Sequence, residues 1–174
     1  MFKLYLDTGA FLKRYTVEPG TEAIDTIFDK AETGELTIVT SLWNIGEALG
    51  VLDEKRRRRW LTDTEFEQTL TLFADEMLKL MRLKTLEITP IYTSILASAW
   101  NVIMGCHICE ADALQITTYN YNASKALITS DKRLAQISKE TGIKTILIPN
   151  DEHELKVLMD DEISENEKSK KTDC

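Results

Sequence analysis

LYLDTGAFLKRY, residues 4 to 15, runs a short apolar segment into Asp7-Thr8-Gly9 and then into AFLKRY, whose apolar residues recur at helical spacing. An aspartic protease carries its catalytic acid in the same tripeptide, but on an all-β frame with the triplet in a loop between strands. Here a helical pattern follows the triplet, and helical patterns dominate the chain, so the protease is excluded. Short apolar runs at 2–6, 37–40 (TIVT), 86–89 (LEIT), 126–129 (ALIT) and 145–148 (TILI) read as strands. Helical patterns at 8–16, 20–32, 41–58, 62–83, 90–105, 110–121 and 131–141 separate them. That alternation predicts an α/β fold, with a mostly parallel sheet of about five strands covered by helices on both faces. Asp7 then stands at the carboxyl end of strand one, the edge where open α/β sheets bind ligands.

With 174 residues and 43% apolar content, the chain suits one domain around one core. No apolar run approaches the ~20 residues of a membrane span, and Asp7 interrupts the first apolar run too early for a signal peptide. Three cysteines cannot all pair, and a core of this size needs no disulfide, so a reducing, cytoplasmic setting is expected. The net charge of −8 is uneven: residues 151–174 hold nine Asp/Glu against four Lys. Polar and poor in aromatics, that segment reads as an acidic, mobile tail beyond a body at 1–150. Inside the body, Lys55, Arg56, Arg57, Arg58 and Arg59 form a dense basic block, so an acidic pI does not exclude a nucleic-acid partner.

Other acids gather at the same edge. Asp131 follows the strand ALIT directly, where it can serve a site or cap the next helix. Glu47 sits on a helix capped by Ser41, opposite an expected apolar stripe of Leu42, Ile45, Leu49 and Leu52. Its own face carries Trp43 and Val51, which would partly desolvate a carboxylate. Asp112 lies in a first helical turn, on a face shared with Ile116 and Tyr119, while Glu110 points about opposite and reads as a helix-start acid. Four inward carboxylates repel: at ~5 Å and an effective dielectric near 20, each pair costs on the order of 3 kcal/mol. A cation relieves that cost, and hard oxygen donors without His suit Mg²⁺ or Mn²⁺. Carboxylate-held cations commonly activate water for displacement at phosphorus.

LYLDTGAFLKRY, SLWNIGEALGVL, ADALQITTY and LITSDKRLAQI together resemble, in order and spacing, the four acidic motifs of PIN-domain ribonucleases of the VapC-type toxin family. The resemblance spans residues 4–137 and implies a PIN-like three-layer α/β/α fold. It further implies Mg²⁺- or Mn²⁺-dependent endoribonuclease activity with Asp7, Glu47, Asp112 and Asp131 as the catalytic and metal-binding quartet. Asp7 and Asp112 are the direct ligands in that reading; Glu47 and Asp131 act partly through water, and Thr129 and Thr8 support the site. RNA is the implied substrate, with an antitoxin protein and a second copy of the chain as candidate partners and no membrane. The chain departs from small toxins in a longer helical region between Glu47 and Asp112 and in its acidic tail. An RNA-processing PIN nuclease without an antitoxin, and a non-catalytic RNA-binding or signalling module on a doubly wound fold, are the alternatives. A phospho-acceptor receiver is disfavoured, because LEITP carries no acid after its strand.

Three further features have simpler readings beside functional ones. CHIC (Cys106–Cys109) has a C-x-x-C spacing and His107. Its only further His and Cys are His153 and Cys174, so packing cysteines are expected rather than zinc. The basic block can grip an RNA backbone or finish a helix favourably. Arg58 falls within about 20° of the Glu47 face, about 16 Å further along. The helix at 62–83 is apolar over a broad face (Phe66, Leu70, Phe73, Met77 and Leu80, widened by Leu72, Leu78, Met81 and Leu83). That leaves room for a subunit or an antitoxin helix beyond core packing.

Overall fold

A computed structural model describes residues 1–172. Its centre is a sheet of five strands, all parallel, in the order β3-β2-β1-β4-β5. The strands are β1 (Phe2–Leu6), β2 (Leu36–Ser41), β3 (Leu86–Thr89), β4 (Ala126–Thr129) and β5 (Thr145–Leu147). The chain builds outward from β1 through β2 to β3, then returns to the other side of β1 for β4. The strand order therefore reverses at β1 and β4, and a crevice opens at their carboxyl ends. Leu6 pairs with Ile128, and the Asp7 N–H continues the ladder to the Ile128 carbonyl at 3.0 Å.

The strands read as near-continuous apolar runs because both faces are covered. Leu4 and Leu6 point into a core shared with α1 (Thr8–Leu12), α2 (Thr21–Glu32), α3 (Leu42–Arg57) and α4 (Asp63–Leu83). Tyr5 and Val39 point into the opposite core, under α5 (Thr93–Cys106), α6 (Glu110–Asn122) and α7 (Lys132–Glu140). The period-two alternation of β1 thus assigns its side chains to two helical layers. In the first layer Phe11 meets Phe28 and Phe73 edge-on, with ring centroids 5.3 and 5.8 Å apart. Arg14 holds the same layer at its rim, bonding Glu76 of α4 at 2.7 Å and Asp25 of α2 at 2.8 Å.

Three expectations change. Helix α1 ends at Leu12, and residues 13–15 continue as turns. On α3 the inward positions are Asn44, Ala48 and Leu52, flanked by Ile45 and Val51, while Leu42 and Leu49 are exposed. The cause is the capping box: Ser41 and Asn44 cap each other reciprocally, and Asn44 is drawn inward by buried polar partners. The supposed mobile tail is helix α8 (Glu152–Thr172). Leu155, Leu158 and Met159 are buried in the first core and Ile163 packs against it, so the packed body extends past residue 150. Their helical spacing was masked by the acids around them. Asp173 and Cys174, the end of that expected tail, lie outside the described residues. No described helix is long and apolar enough to cross a membrane.

Candidate active site

The crevice at the β1 and β4 carboxyl ends is a cleft of about 300 Å³ whose lining includes Asp7, Glu47, Asp112 and Asp131. Four segments far apart in sequence therefore deliver the four acids to one place. Asp7 leaves β1 and caps α1, its Oδ1 accepting from the Ala10 N–H at 2.6 Å. Its Oδ2 accepts a short hydrogen bond from the Thr129 hydroxyl at the end of β4. That bond ties the ends of β1 and β4 together, and Thr129 in turn accepts from the Asp131 N–H at 2.9 Å. Asp7 is only 5% exposed. Burial pushes its pKa up to about 6; the bonds from Thr129 and Ala10 oppose that shift, and the charges of Asp131 and Glu47 add to it.

Gly9 explains the rest of the Asp-Thr-Gly triplet. A Cβ there would meet the Ser130 hydroxyl, so glycine lets α1 lie against the β4–α7 turn without turning Ser130 into another rotamer.

Glu47 is half-buried rather than enclosed by Trp43, which is 40% exposed. Its Oε2 accepts from the Thr8 hydroxyl at 2.5 Å and from Gln115 Nε2 at 3.3 Å. Thr8 therefore serves Glu47; the side-chain cap of α1 is Asp7. Asp112 projects from the first turn of α6, half-buried at the cleft, and Glu110 is exposed. Asp131 caps α7, its Oδ1 accepting from Arg133 and Leu134 N–H at 2.7 and 3.0 Å, and it also lines the cleft.

No described Lys or Arg forms an ion pair with any of these four acids, although ion pairs are frequent elsewhere among the described residues. The oxygen donors lining the cleft are carboxylates and hydroxyls, without His or Cys, a set that fits a hard divalent cation. Among the described residues no three such acids stand close enough together to hold a metal ion as they are. They share a cleft without forming a finished coordination sphere.

The basic block does not join this cleft. Lys55 pairs with Glu18 at 2.7 Å, Arg56 with Asp63 at 2.7 Å, Arg57 with Asp53 at 2.9 Å and Arg58 with Glu54 at 2.6 Å. Arg56 also lies over Phe66 and Arg58 over Trp60, and Arg59 turns the chain with φ +60°. Four of the five cations thus face acids of their own chain at this helix end. His107 ends α5 in the left-handed region (φ +53°) and does not line the cleft; Cys106 and Cys109 are free thiols. A larger groove of about 500 Å³, between α2 and α8, mixes Lys30 and Lys156 with Glu22, Glu152 and Asp160 and holds no convergent set of donors.

Sequence reasoning missed Tyr5, Asn44 and Gln115, which form a buried polar network behind Glu47. Asn44 had a legible signal, three residues after a Ser cap. Gln115, one turn after Asp112, had a weaker one.

A PIN domain model matches residues 4–140. No curated protein matches the chain. Solved structures similar to it include the following three. PAE2754 from Pyrobaculum aerophilum is 15% identical with a TM-score of 0.58, over 90% of this chain and 96% of that one. VapC20 from Mycobacterium tuberculosis, a sarcin-ricin loop cleaving toxin, is 11% identical with a TM-score of 0.55, over 80% and 95%. VapBC2 from Rickettsia felis, solved with a DNA fragment from its promoter, is 14% identical with a TM-score of 0.56, over 84% and 98%. At such identities these neighbours speak for the fold alone. The family model speaks for more, since it runs from β1 to the end of α7 and takes in all four cleft acids: the chain belongs to the PIN domain family of nucleases.

Proposed function

We propose that the chain is a cytoplasmic, Mg²⁺- or Mn²⁺-dependent endoribonuclease and the toxin of a type II toxin–antitoxin pair. The observation that carries the reading is a cleft lined by four acids to which the described residues supply no counter-ion. Asp7 and Asp112 would hold the cation, with Glu47 and Asp131 reaching it through water. When bound, it supplies a lowered pKa for the attacking water and neutralises charge on the scissile phosphate. The protein's own contribution is positional. Thr129 and the Ala10 N–H hold Asp7 from both oxygens, and the α7 N-terminus holds Asp131. Water adds to phosphorus as the bond to the 3′-oxygen breaks, leaving a 5′-phosphate end.

The antitoxin reading is supported by exposed apolar residues that border the buried face of α4 on both sides, Leu72 and Leu83 on one and Leu78 and Met81 on the other, surface that a partner helix can cover. It is also supported by the VapBC2 pair among the similar folds. The test is cleavage of RNA by the purified chain with Mn²⁺. Asp7→Asn or EDTA should abolish it, and full activity under either condition refutes the mechanism. Growth arrest on expression, relieved by a neighbouring small DNA-binding protein, separates a toxin from a processing nuclease.

A further inference from the structure

The polar groups behind Glu47 form a chain whose direction is set by one backbone donor. The Ser41 N–H can only donate, so the Asn44 atom it meets at 3.1 Å is Oδ1. Asn44 Nδ2 must then donate to Thr8 Oγ1 at 3.0 Å and to Gln115 Oε1 at 2.8 Å. The single Tyr5 hydroxyl proton reaches Gln115 Oε1 at 2.7 Å and Asn44 Oδ1 at 2.9 Å, the Gln115 oxygen being the nearer acceptor. With its oxygen committed to Asn44 and Tyr5, the Gln115 amide has its NH₂ turned to Glu47 Oε2 at 3.3 Å. Thr8, accepting from Asn44, has its own proton directed to that same oxygen at 2.5 Å. Two donors converge on Oε2, and Oε1 is the oxygen left for the cleft.

The cost of this arrangement argues that it has a use. Tyr5, Asn44 and Gln115 are 0%, 2% and 5% exposed, at positions that apolar side chains could fill. Burying three polar groups is favourable only when every donor and acceptor is met, and here the network is anchored on Ser41 at one end and runs out to one acid of the cleft at the other.

We propose that Gln115 is a positioning residue for Glu47: its amide, oriented by Tyr5 and Asn44, determines which carboxylate oxygen Glu47 presents to the cleft. The functional consequence rests on the nuclease reading above; the geometry does not.

The test uses the full chain carrying Gln115→Met or Tyr5→Phe, each alone and combined with Glu47→Gln. Tyr5→Phe removes a hydroxyl that never touches Glu47, so any effect on the cleft must pass through the network. Calorimetry with Mn²⁺ alone and steady-state RNA cleavage are the first two readouts. Each single variant is expected to weaken Mn²⁺ binding and lower kcat about tenfold, with KM little changed, the scale on which groups supporting metal ligands act. In the Glu47→Gln background the further loss should fall below about twofold. Equal losses in both backgrounds would mean general support of the fold and would overturn the proposal.

The third readout is the side-chain amide resonance of Gln115 in metal-free protein. It should shift in both Glu47→Gln and Tyr5→Phe, and a resonance indifferent to both overturns the proposal whatever the activity. If the wild-type chain neither binds Mn²⁺ nor cleaves RNA, the nuclease reading falls alone and the amide resonance still decides the geometry. Should Gln115→Met fail to fold, Tyr5→Phe carries the same decision.

Discussion

Asp7→Asn should make the metal-free protein more stable at pH 8 and slightly less stable at pH 4. Burial raises the Asp7 carboxyl from an ordinary 3.8 to about 6 in the folded protein. A raised carboxyl pKa means that folding favours the protonated form. The stability it contributes is intact below the unfolded value and is lost as pH rises through the folded one. Between 3.8 and 6, at 1.36 kcal/mol per unit, the penalty for ionised Asp7 grows to about 3 kcal/mol and is nearly complete by pH 7. Asn keeps an oxygen for the Ala10 N–H but disrupts the Thr129 bond, a loss of about 1 kcal/mol. The net gain at pH 8 is therefore about 2 kcal/mol, or about 4–8 °C in Tm for a chain of this size. At pH 4 only the lost bond remains, and the variant should melt a few degrees lower than wild type.

The assay is a set of thermal or urea melts of both proteins in EDTA from pH 4 to 8. The variant-minus-wild-type difference is the readout, because it cancels the effects of other titrating groups. A difference that does not change sign or magnitude across that range would show that Asp7 is not a buried, strained carboxylate. Added Mn²⁺ at pH 8 should raise the wild-type Tm more than the variant's, since linkage follows affinity for the native state.

Met159→Ala should cost about 2–5 kcal/mol, the usual range for a buried methionine, where a residue of a mobile tail would cost nothing measurable in urea melts. Asp131→Ala should lose the α7 cap at about 1 kcal/mol as well as cleavage, whereas Asp131→Asn should keep the cap and lose only cleavage; equal melting of the two would remove the cap from the account. Changing Arg56, Arg57 and Arg58 to Ser should leave the salt dependence of RNA binding nearly unchanged, because each already faces an acid of its own chain. A slope reduced by about 0.7 for each lost contact would restore the block as an RNA grip.

Local patterns in the sequence were enough for the strands, the helices before residue 150 and the gathering of four acids at one sheet edge. Strands of a sheet covered on both faces must be short and apolar, and an acid directly after such a strand lies at its carboxyl end wherever the strand sits in the sheet. That made Asp7 and Asp131 legible from their own neighbours; Glu47 and Asp112 followed from their helix positions, and the ordered resemblance of four motifs joined all four. Patterns in which local signals conflicted were misread. Leu42 and Leu49 looked inward by hydrophobicity, yet a buried Asn44 rotated α3 away from them. Leu155, Leu158 and Met159 kept helical spacing, yet the surrounding charge suggested disorder. Tertiary structure alone decided the partners. That Thr129 would meet Asp7 across 122 positions, or Gln115 meet Tyr5 across 110, depends on β4 returning beside β1 and on α6 covering the opposite face. Hydrogen bonds over such separations have no local signature, because each side chain needs its partner only after both have left water.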